Sequence, residues 1–255
     1  MAFEYTYNDL IDAYRGSQDE TAAYISALES VKSKWDLSAV QSCVAVGAGK
    51  AEREIEFIER FIPNLRKFVA IDPDEQFTTE LESILKNRLP GVELVVYHEN
   101  IEDWSVPDNM QVDAILFFDM LYYFTESVRR EMFRNFSGRL LTKSGFVVIM
   151  NEVESEGSSA IWDVYGPGVR VGVNGDQIKQ DMTDAGFNLI DERNMDFTVN
   201  TTSVFQDTEV GTRLVEFYRL YGPQSMSHDA VRQVLLSRSP KLPMRSRLSV
   251  FQRSN

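Results

Sequence analysis

Ser42-Cys43-Val44-Ala45-Val46-Gly47-Ala48-Gly49-Lys50-Ala51-Glu52 is the stretch on which the fold turns. Its apolar run has the length and composition of a strand buried on both faces. The small residues Gly47, Ala48 and Gly49 then let the backbone turn tightly and approach a ligand before the next helix begins. From Glu52 to Phe61 the apolar spacing becomes helical, and a second run, Val69-Ala70-Ile71-Asp72-Pro73, ends on an acid. Strand, turn, helix and strand in that order make a parallel βαβ unit.

Working outward, the same alternation continues. A helix is expected over Glu75 to Arg88, a strand over Val92 to Tyr97, and, after a loop through Trp104 and Pro107, a strand over Val112 to Phe118. A helix near Ser127 to Leu141 and a strand over Gly145 to Met150 follow. Before the first strand, Tyr7, Leu10, Ile11, Tyr14, Tyr24, Ile25, Leu28 and Val31 have helical spacing. In the second half, Ser155 to Gly175 is rich in Ser and Gly and reads as a loop, with a helix at Asp176 to Ala185 and a strand opening at Gly186-Phe187. Helices near Glu209 to Tyr221 and Ser227 to Leu236 precede a last strand near Ser246 to Phe251. The fold class is α/β: a mostly parallel, Rossmann-like sheet of seven strands with helices on both faces. We expect a single domain over 1–255, with an N-terminal helical cap (1–40), a nucleotide-binding core (41–200), and a helical insertion with the terminal strand (201–255).

Composition narrows the function classes. A chain of 255 residues that is 43% hydrophobic can bury one large core. The formal net charge of −13 repels phosphate backbones, so nucleic acid is not an expected partner. No apolar run reaches membrane-spanning length, and the opening residues lack the pattern of a signal peptide, so the expected location is the cytoplasm. Cys43 is the only cysteine, which rules out an intrachain disulfide, and its place in an apolar strand makes it a core residue. His98 and His228 have no companions at ligand spacing, and no metal is expected. No nucleophile-elbow pattern surrounds Ser158.

The turn and the acid reinforce each other. In nucleoside and dinucleotide folds, an acid at the end of the second strand accepts hydrogen bonds from both ribose hydroxyls. The nicotinamide fingerprint requires a third glycine where this chain has Glu52, whose charge would oppose a diphosphate. A cationic cofactor without phosphate, S-adenosylmethionine, suits the acidic residues better.

At the fourth strand, Phe117-Phe118-Asp119-Met120-Leu121-Tyr122-Tyr123-Phe124 resembles the histamine N-methyltransferase family of class I S-adenosylmethionine-dependent methyltransferases, whose corresponding strand ends in a polar residue followed by Met-Leu-Tyr-Tyr. Trp162-Asp163-Val164-Tyr165-Gly166 resembles a second segment of that family, after strand five. The resemblance implies that Gly47, Ala48, Gly49, Asp72, Pro73 and Gln76 hold the cofactor, with Asn100, Ile101 and Glu102 by the adenine and Phe118 in contact with it. It places Tyr7, Glu20, Asp119, Tyr122, Tyr123, Trp162 and Ser246 on the substrate side. Where the family has glutamine the chain has Asp119, where it has asparagine the chain has Ser246, and the third glycine of its first turn is Ala51.

Methyl transfer is an in-line displacement that rests mainly on alignment, which supplies roughly 7–11 kcal/mol in favourable cases. Glu20 and Asp119 are then the candidate catalytic residues, binding a cationic part of the substrate or accepting the proton that the nucleophile sheds. With Tyr7, Tyr122, Tyr123 and Trp162 they suit a small amine or imidazole-type metabolite, because aromatic faces attract cations. The product of the cofactor would be S-adenosylhomocysteine, and the protein is expected to act as a monomer. Alternatives from the same residues are an O- or C-methyltransferase of specialised metabolism and a non-catalytic methyltransferase-like binding protein.

Overall fold

The computed structural model describes residues 5–165, 173–220 and 226–254. Two helices, α1 (Tyr7–Gly16) and α2 (Glu20–Val31), precede β1 (Ser42–Val46), α3 (Glu52–Phe61), β2 (Lys67–Ile71), α4 (Glu75–Arg88), β3 (Glu93–Tyr97) and β4 (Val112–Phe118). Then come α5 (Glu126–Asn135), β5 (Leu141–Glu152), α6 (Glu156–Tyr165), α7 (Gly175–Asp184), β6 (Phe187–Asn200), α8 (Glu209–Leu220), α9 (His228–Leu236) and β7 (Lys241–Arg253).

The strands make one seven-stranded sheet in the order β3-β2-β1-β4-β5-β7-β6. β1 pairs in parallel with β2 and β4, β2 with β3, and β4 with β5. β7 runs the other way. Its end lies by the start of β6, where the Ser254 N–H donates to the Gly186 carbonyl at 2.8 Å, and its start lies by the end of β6, where the Thr201 N–H donates to Pro240 at 2.9 Å. The sheet is therefore mixed and mostly parallel, as the alternating pattern predicts. From β1 the chain steps one way through α3 and α4, and from β4 the other way through α5. Right-handed crossovers in opposite directions put these helices on opposite faces.

The chain divides into two compact units. The larger comprises 26–151, 173–193 and 247–255. Its core holds the inner strands: Cys43, Val44, Ala45 and Val46 are wholly buried, as are Phe68, Val69 and Ala70. Burial of each Val in such a run is worth about 1.5–3 kcal/mol relative to exposure. α3 turns Ile55, Phe57, Ile58 and Phe61 inward at helical spacing. α4 starts sharply because the Asp74 side chain accepts the backbone N–H groups of Gln76 and Phe77. The smaller unit comprises 1–25, 152–172 and 194–246. Here Leu10 and Tyr14 of α1 pack with Leu214, Phe217 and Tyr218 of α8 and with Val231 and Leu235 of α9. Tyr14 stacks on Phe217 with ring centroids 4.2 Å apart.

Four expectations change. The helix near Ser127 to Leu141 ends at Asn135 and closes through a π-type turn, Phe136–Leu140. β5 then begins at Leu141, before the expected Gly145, because Val112 pairs with Leu141 while Ala114 pairs with Phe146, so Lys143-Ser144-Gly145 is a bulge inside the strand. The stretch read as a loop from Ser155 contains α6. Its serines are a reciprocal cap: Ser155 Oγ accepts the Ser158 N–H at 3.1 Å and Ser158 Oγ accepts the Ser155 N–H at 2.8 Å. Residues 166–172, the rest of that expected loop, lie outside the described residues. The terminal strand starts at Lys241 and alternates exposed with buried residues up to Ser246, a pattern interrupted in sequence by Pro243.

Candidate functional site

β1 leaves the sheet through three left-handed residues, Gly47 (φ 66°), Gly49 (φ 50°) and Ala51 (φ 51°). The Gly47 and Ala48 N–H groups donate to the Ile71 carbonyl at 2.8 and 3.3 Å, which ties the turn to the end of β2. A side chain at Gly47 would stand 3.0 Å from Cβ of Met120, so this glycine is required both by its φ and by close contact with the end of β4. At Gly49, by contrast, a Cβ would meet nothing within 4 Å, and the backbone faces open space.

Asp72 follows β2 directly and is 8% exposed. Its Oδ2 accepts the Gly49 N–H at 2.8 Å and its Oδ1 the Asp74 N–H at 2.9 Å. Burial raises its pKa; the two N–H groups oppose the shift, the charge of Asp74 adds to it, and that of His98 opposes it. Each carboxylate oxygen has a further lone pair to offer. The turn and the acid thus meet through a hydrogen bond. Pro73 and Gln76 are exposed beside them.

Asp119 follows β4 directly with φ 52°, a conformation that costs an ordinary residue roughly 1 kcal/mol. Its N–H donates to the Met150 carbonyl at 2.8 Å. Its carboxylate forms a short ion pair with Arg53, from the first turn of α3. Arg53 is the residue that the sequence reading missed, and no local signal marks it: it sits among alternating charges, and only the adjacency of β1 and β4 brings it to Asp119. The two strands are neighbours whose connections leave in opposite directions, which makes their carboxyl ends the switch point where open α/β sheets bind ligands. Beyond them, Phe118 turns its ring edge-on to Phe57 of α3 at 5.9 Å, and Tyr122 and Tyr123 lie with ring centroids 4.6 Å apart. Tyr123 is 52% exposed. Asn100 and Glu102 are exposed and Ile101 packs against the core of this unit, with the Asn100 carbonyl accepting the N–H groups of Asp103 and Trp104 at 3.0 Å.

In the smaller unit, Glu20 opens α2 and is 5% exposed. Ser246, wholly buried on β7, donates its hydroxyl to Glu20 Oε1 at 2.7 Å. These two expected substrate residues, far apart in sequence, are brought together. Burial and the charge of Glu152 push the phenol of Tyr218 well above its ordinary pKa; neither Glu152 nor Tyr218 stands out in the sequence. Tyr7 begins α1 and is half-buried. Trp162 falls on α6, with its side chain outside the described residues, and Gly166 of its motif lies outside them altogether.

Among the described residues, no group of three or more His, Cys, Asp or Glu side chains could hold a metal ion, and no helix is long and apolar enough to cross a membrane. No protein-family model matches the chain, and no curated protein is similar to it in sequence. Solved structures are similar in fold. A candidate methyltransferase of Bacillus halodurans C-125 superposes with a TM-score of 0.61 at 15% identity, over 90% of this chain and 100% of that one. The [4+2]-cyclase SpnF gives 0.57 at 15% identity, over 91% and 81%. The N-methyltransferase NodS from Bradyrhizobium japonicum WM9, solved with S-adenosyl-L-homocysteine, gives 0.53 at 13% identity, over 92% and 86%. The fold is thus the Rossmann-like α/β fold of methyltransferases. The residues of this chain fit a nucleoside cofactor: Asp72 keeps acceptor capacity for a ribose diol, and the backbone at Gly49 is open to close approach.

Proposed function

We propose that the protein is an S-adenosylmethionine-dependent methyltransferase acting on a small molecule, with a nitrogen of an amine or imidazole-type metabolite as the acceptor. The observation that carries this reading is the hydrogen bond from Gly49 to Asp72, which joins the left-handed turn after β1 to a buried carboxylate after β2. When bound, the cofactor supplies an electrophilic methyl group on a sulfonium. In this reading Gly47, Ala48 and Gly49 provide the backbone surface beside it, and Asp72 accepts from its ribose. Gln76 and the segment Asn100-Ile101-Glu102 flank the nucleoside, and Phe118, packed on Phe57, stiffens the end of β4.

The acceptor side of the proposal rests on Glu20. A carboxylate that is 5% exposed and receives the Ser246 hydroxyl is a group that a cationic or N–H-bearing acceptor complements. Glu20 would orient the acceptor, or take the proton released at its nitrogen, with Tyr7 as an aromatic contact. Asp119 is compensated by Arg53, so it attracts a second cation less strongly than an unpaired acid would.

Calorimetric titration with S-adenosylmethionine and S-adenosylhomocysteine, followed by a screen of small amines with labelled cofactor, tests the reading. Saturable binding of both nucleosides and label transfer to an amine are expected. Absence of binding to either would overturn the enzyme assignment, and transfer only to hydroxyl or carbon acceptors would overturn the amine.

A further inference from the structure

Glu152, the last residue of β5, has no part in the reading above, yet its place in the sheet brings it to the residues that do. β5 and β7 are neighbours that run in opposite directions. The Arg253 guanidinium, at the end of β7, donates to the Leu141 carbonyl at the start of β5 at 2.9 Å. The Val153 N–H, just past the end of β5, donates to the Arg245 carbonyl of β7, also at 2.9 Å. In an antiparallel pair that second bond sets Glu152 directly opposite Ser246. Opposed residues point to the same face, with Cβ atoms roughly 4.5–5.5 Å apart. Ser246 in turn donates its hydroxyl to Glu20 at 2.7 Å. One wholly buried hydroxyl thus stands between two carboxylates, Glu20 from α2 at 5% exposure and Glu152 from β5 at 9%. The charge of Glu152 reaches the buried phenol of Tyr218 on α8 as well. Tyr218 therefore keeps its proton and adds no third negative charge.

Two acids drawn out of water around one neutral hydroxyl favour a ligand that brings positive charge to both. An imidazole nitrogen is mostly uncharged at neutral pH, whereas an aliphatic amine is protonated there. We propose that Glu152 sets the specificity of the acceptor site and that the acceptor is an aliphatic diamine, with one nitrogen on Glu20 and the other on Glu152. This rests on the assignment of the acceptor to Glu20 and Ser246. The diamine arrives with both nitrogens protonated. Glu20 accepts a proton from the nitrogen to be methylated, which frees its lone pair, while the second nitrogen keeps its proton on Glu152. The freed nitrogen bonds the methyl carbon as the carbon–sulfur bond breaks with its electron pair left on sulfur, so the positive charge moves from sulfur to nitrogen. Two acids serve where one would not, because a carboxylate that holds an ammonium is a weaker proton acceptor.

The test pairs each diamine with the monoamine of the same length: 1,3-diaminopropane with propylamine, 1,4-diaminobutane with butylamine, and 1,5-diaminopentane with pentylamine. Each is titrated calorimetrically, with and without S-adenosylhomocysteine, into the full chain and into Glu152→Gln and Glu152→Asp. In the unaltered protein at least one diamine should bind about tenfold to a hundredfold more tightly than its monoamine. Glu152→Gln should bring that diamine to within about threefold of the monoamine and leave the monoamine nearly unchanged. Glu152→Asp, which keeps the charge, should retain part of the preference. Equal affinity within every pair in the unaltered protein, or a preference that survives Glu152→Gln, would overturn the proposal. So would equal losses for diamine and monoamine, which would show that Glu152 only braces the strand. If Glu152→Gln does not fold, the unaltered protein and Glu152→Asp decide by the same comparison. Binding of S-adenosylhomocysteine without a diamine preference overturns this proposal alone. No binding of it overturns the methyltransferase reading, and the titrations without nucleoside still decide the role of Glu152.

Discussion

Asp72 carries its charge where water is scarce, and the consequences can be measured. Removing its carboxylate takes away the acceptor for the Gly49 N–H as well as the acceptor proposed for the ribose, so Asp72→Ala should weaken nucleoside binding by at least about tenfold. Its pH dependence has a definite sign. Burial raises the Asp72 pKa, so on acidification it takes up a proton at a higher pH than an exposed carboxylate does. A neutral carboxyl accepts less well than a carboxylate. Nucleoside affinity should therefore fall as pH drops into the range just above ordinary carboxylate values, and Asp72→Asn should lose that dependence. Calorimetric titrations across the acid range check both statements; an unchanged slope in Asp72→Asn would assign the dependence to another group.

Among the elements, the contact of α5 with α7 is held by charge. Asp181 is buried at 1% exposure, receives Arg130 Nε at 2.7 Å and lies 3.8 Å from the guanidinium of Arg129, itself only 3% exposed. Asp181→Ala removes the carboxylate beside the buried Arg129, whose guanidinium otherwise donates to the Phe124 carbonyl, and should destabilise the fold by about 3–5 kcal/mol in urea unfolding. α6 offers a second case. A Cβ added at Gly157 would come within 2.5 Å of the Pro243 carbonyl at the start of β7, so Gly157→Ala should cost about 1–3 kcal/mol although alanine favours helices. Composition misled the reading of this element: serine and glycine suggest a loop, but here the serines cap a helix and the glycine admits a strand backbone.

For the molecule as a whole, charge decides partners. With a formal charge of −13 and its basic residues largely engaged in ion pairs such as Arg60–Glu29, Lys67–Glu93 and Arg245–Asp196, the surface repels polyanions. Fluorescence anisotropy with labelled duplex or single-stranded DNA at low salt should show no saturable binding; salt-sensitive binding would reveal a basic face that net charge conceals.

The order of elements, the parallel core of the sheet and the pairing of a glycine turn with an acid were legible in the chain, because strand burial and helix periodicity are local patterns and a turn's need for small residues is local too. The bulge inside β5 was not legible, since it exists only in the register between two strands. Nor was the contact of Glu20 with Ser246, or of Arg53 with Asp119. Those pairs depend on which elements lie beside which, and such neighbours are chosen by crossovers and packing, not by spacing along the sequence. The sequence by itself determined the class of fold and the pairing of a glycine turn with an acid at the ends of its first two strands; the tertiary structure alone decided which charges meet at the strand ends, because an ion pair needs two groups within a few ångströms in space, whatever their separation along the chain.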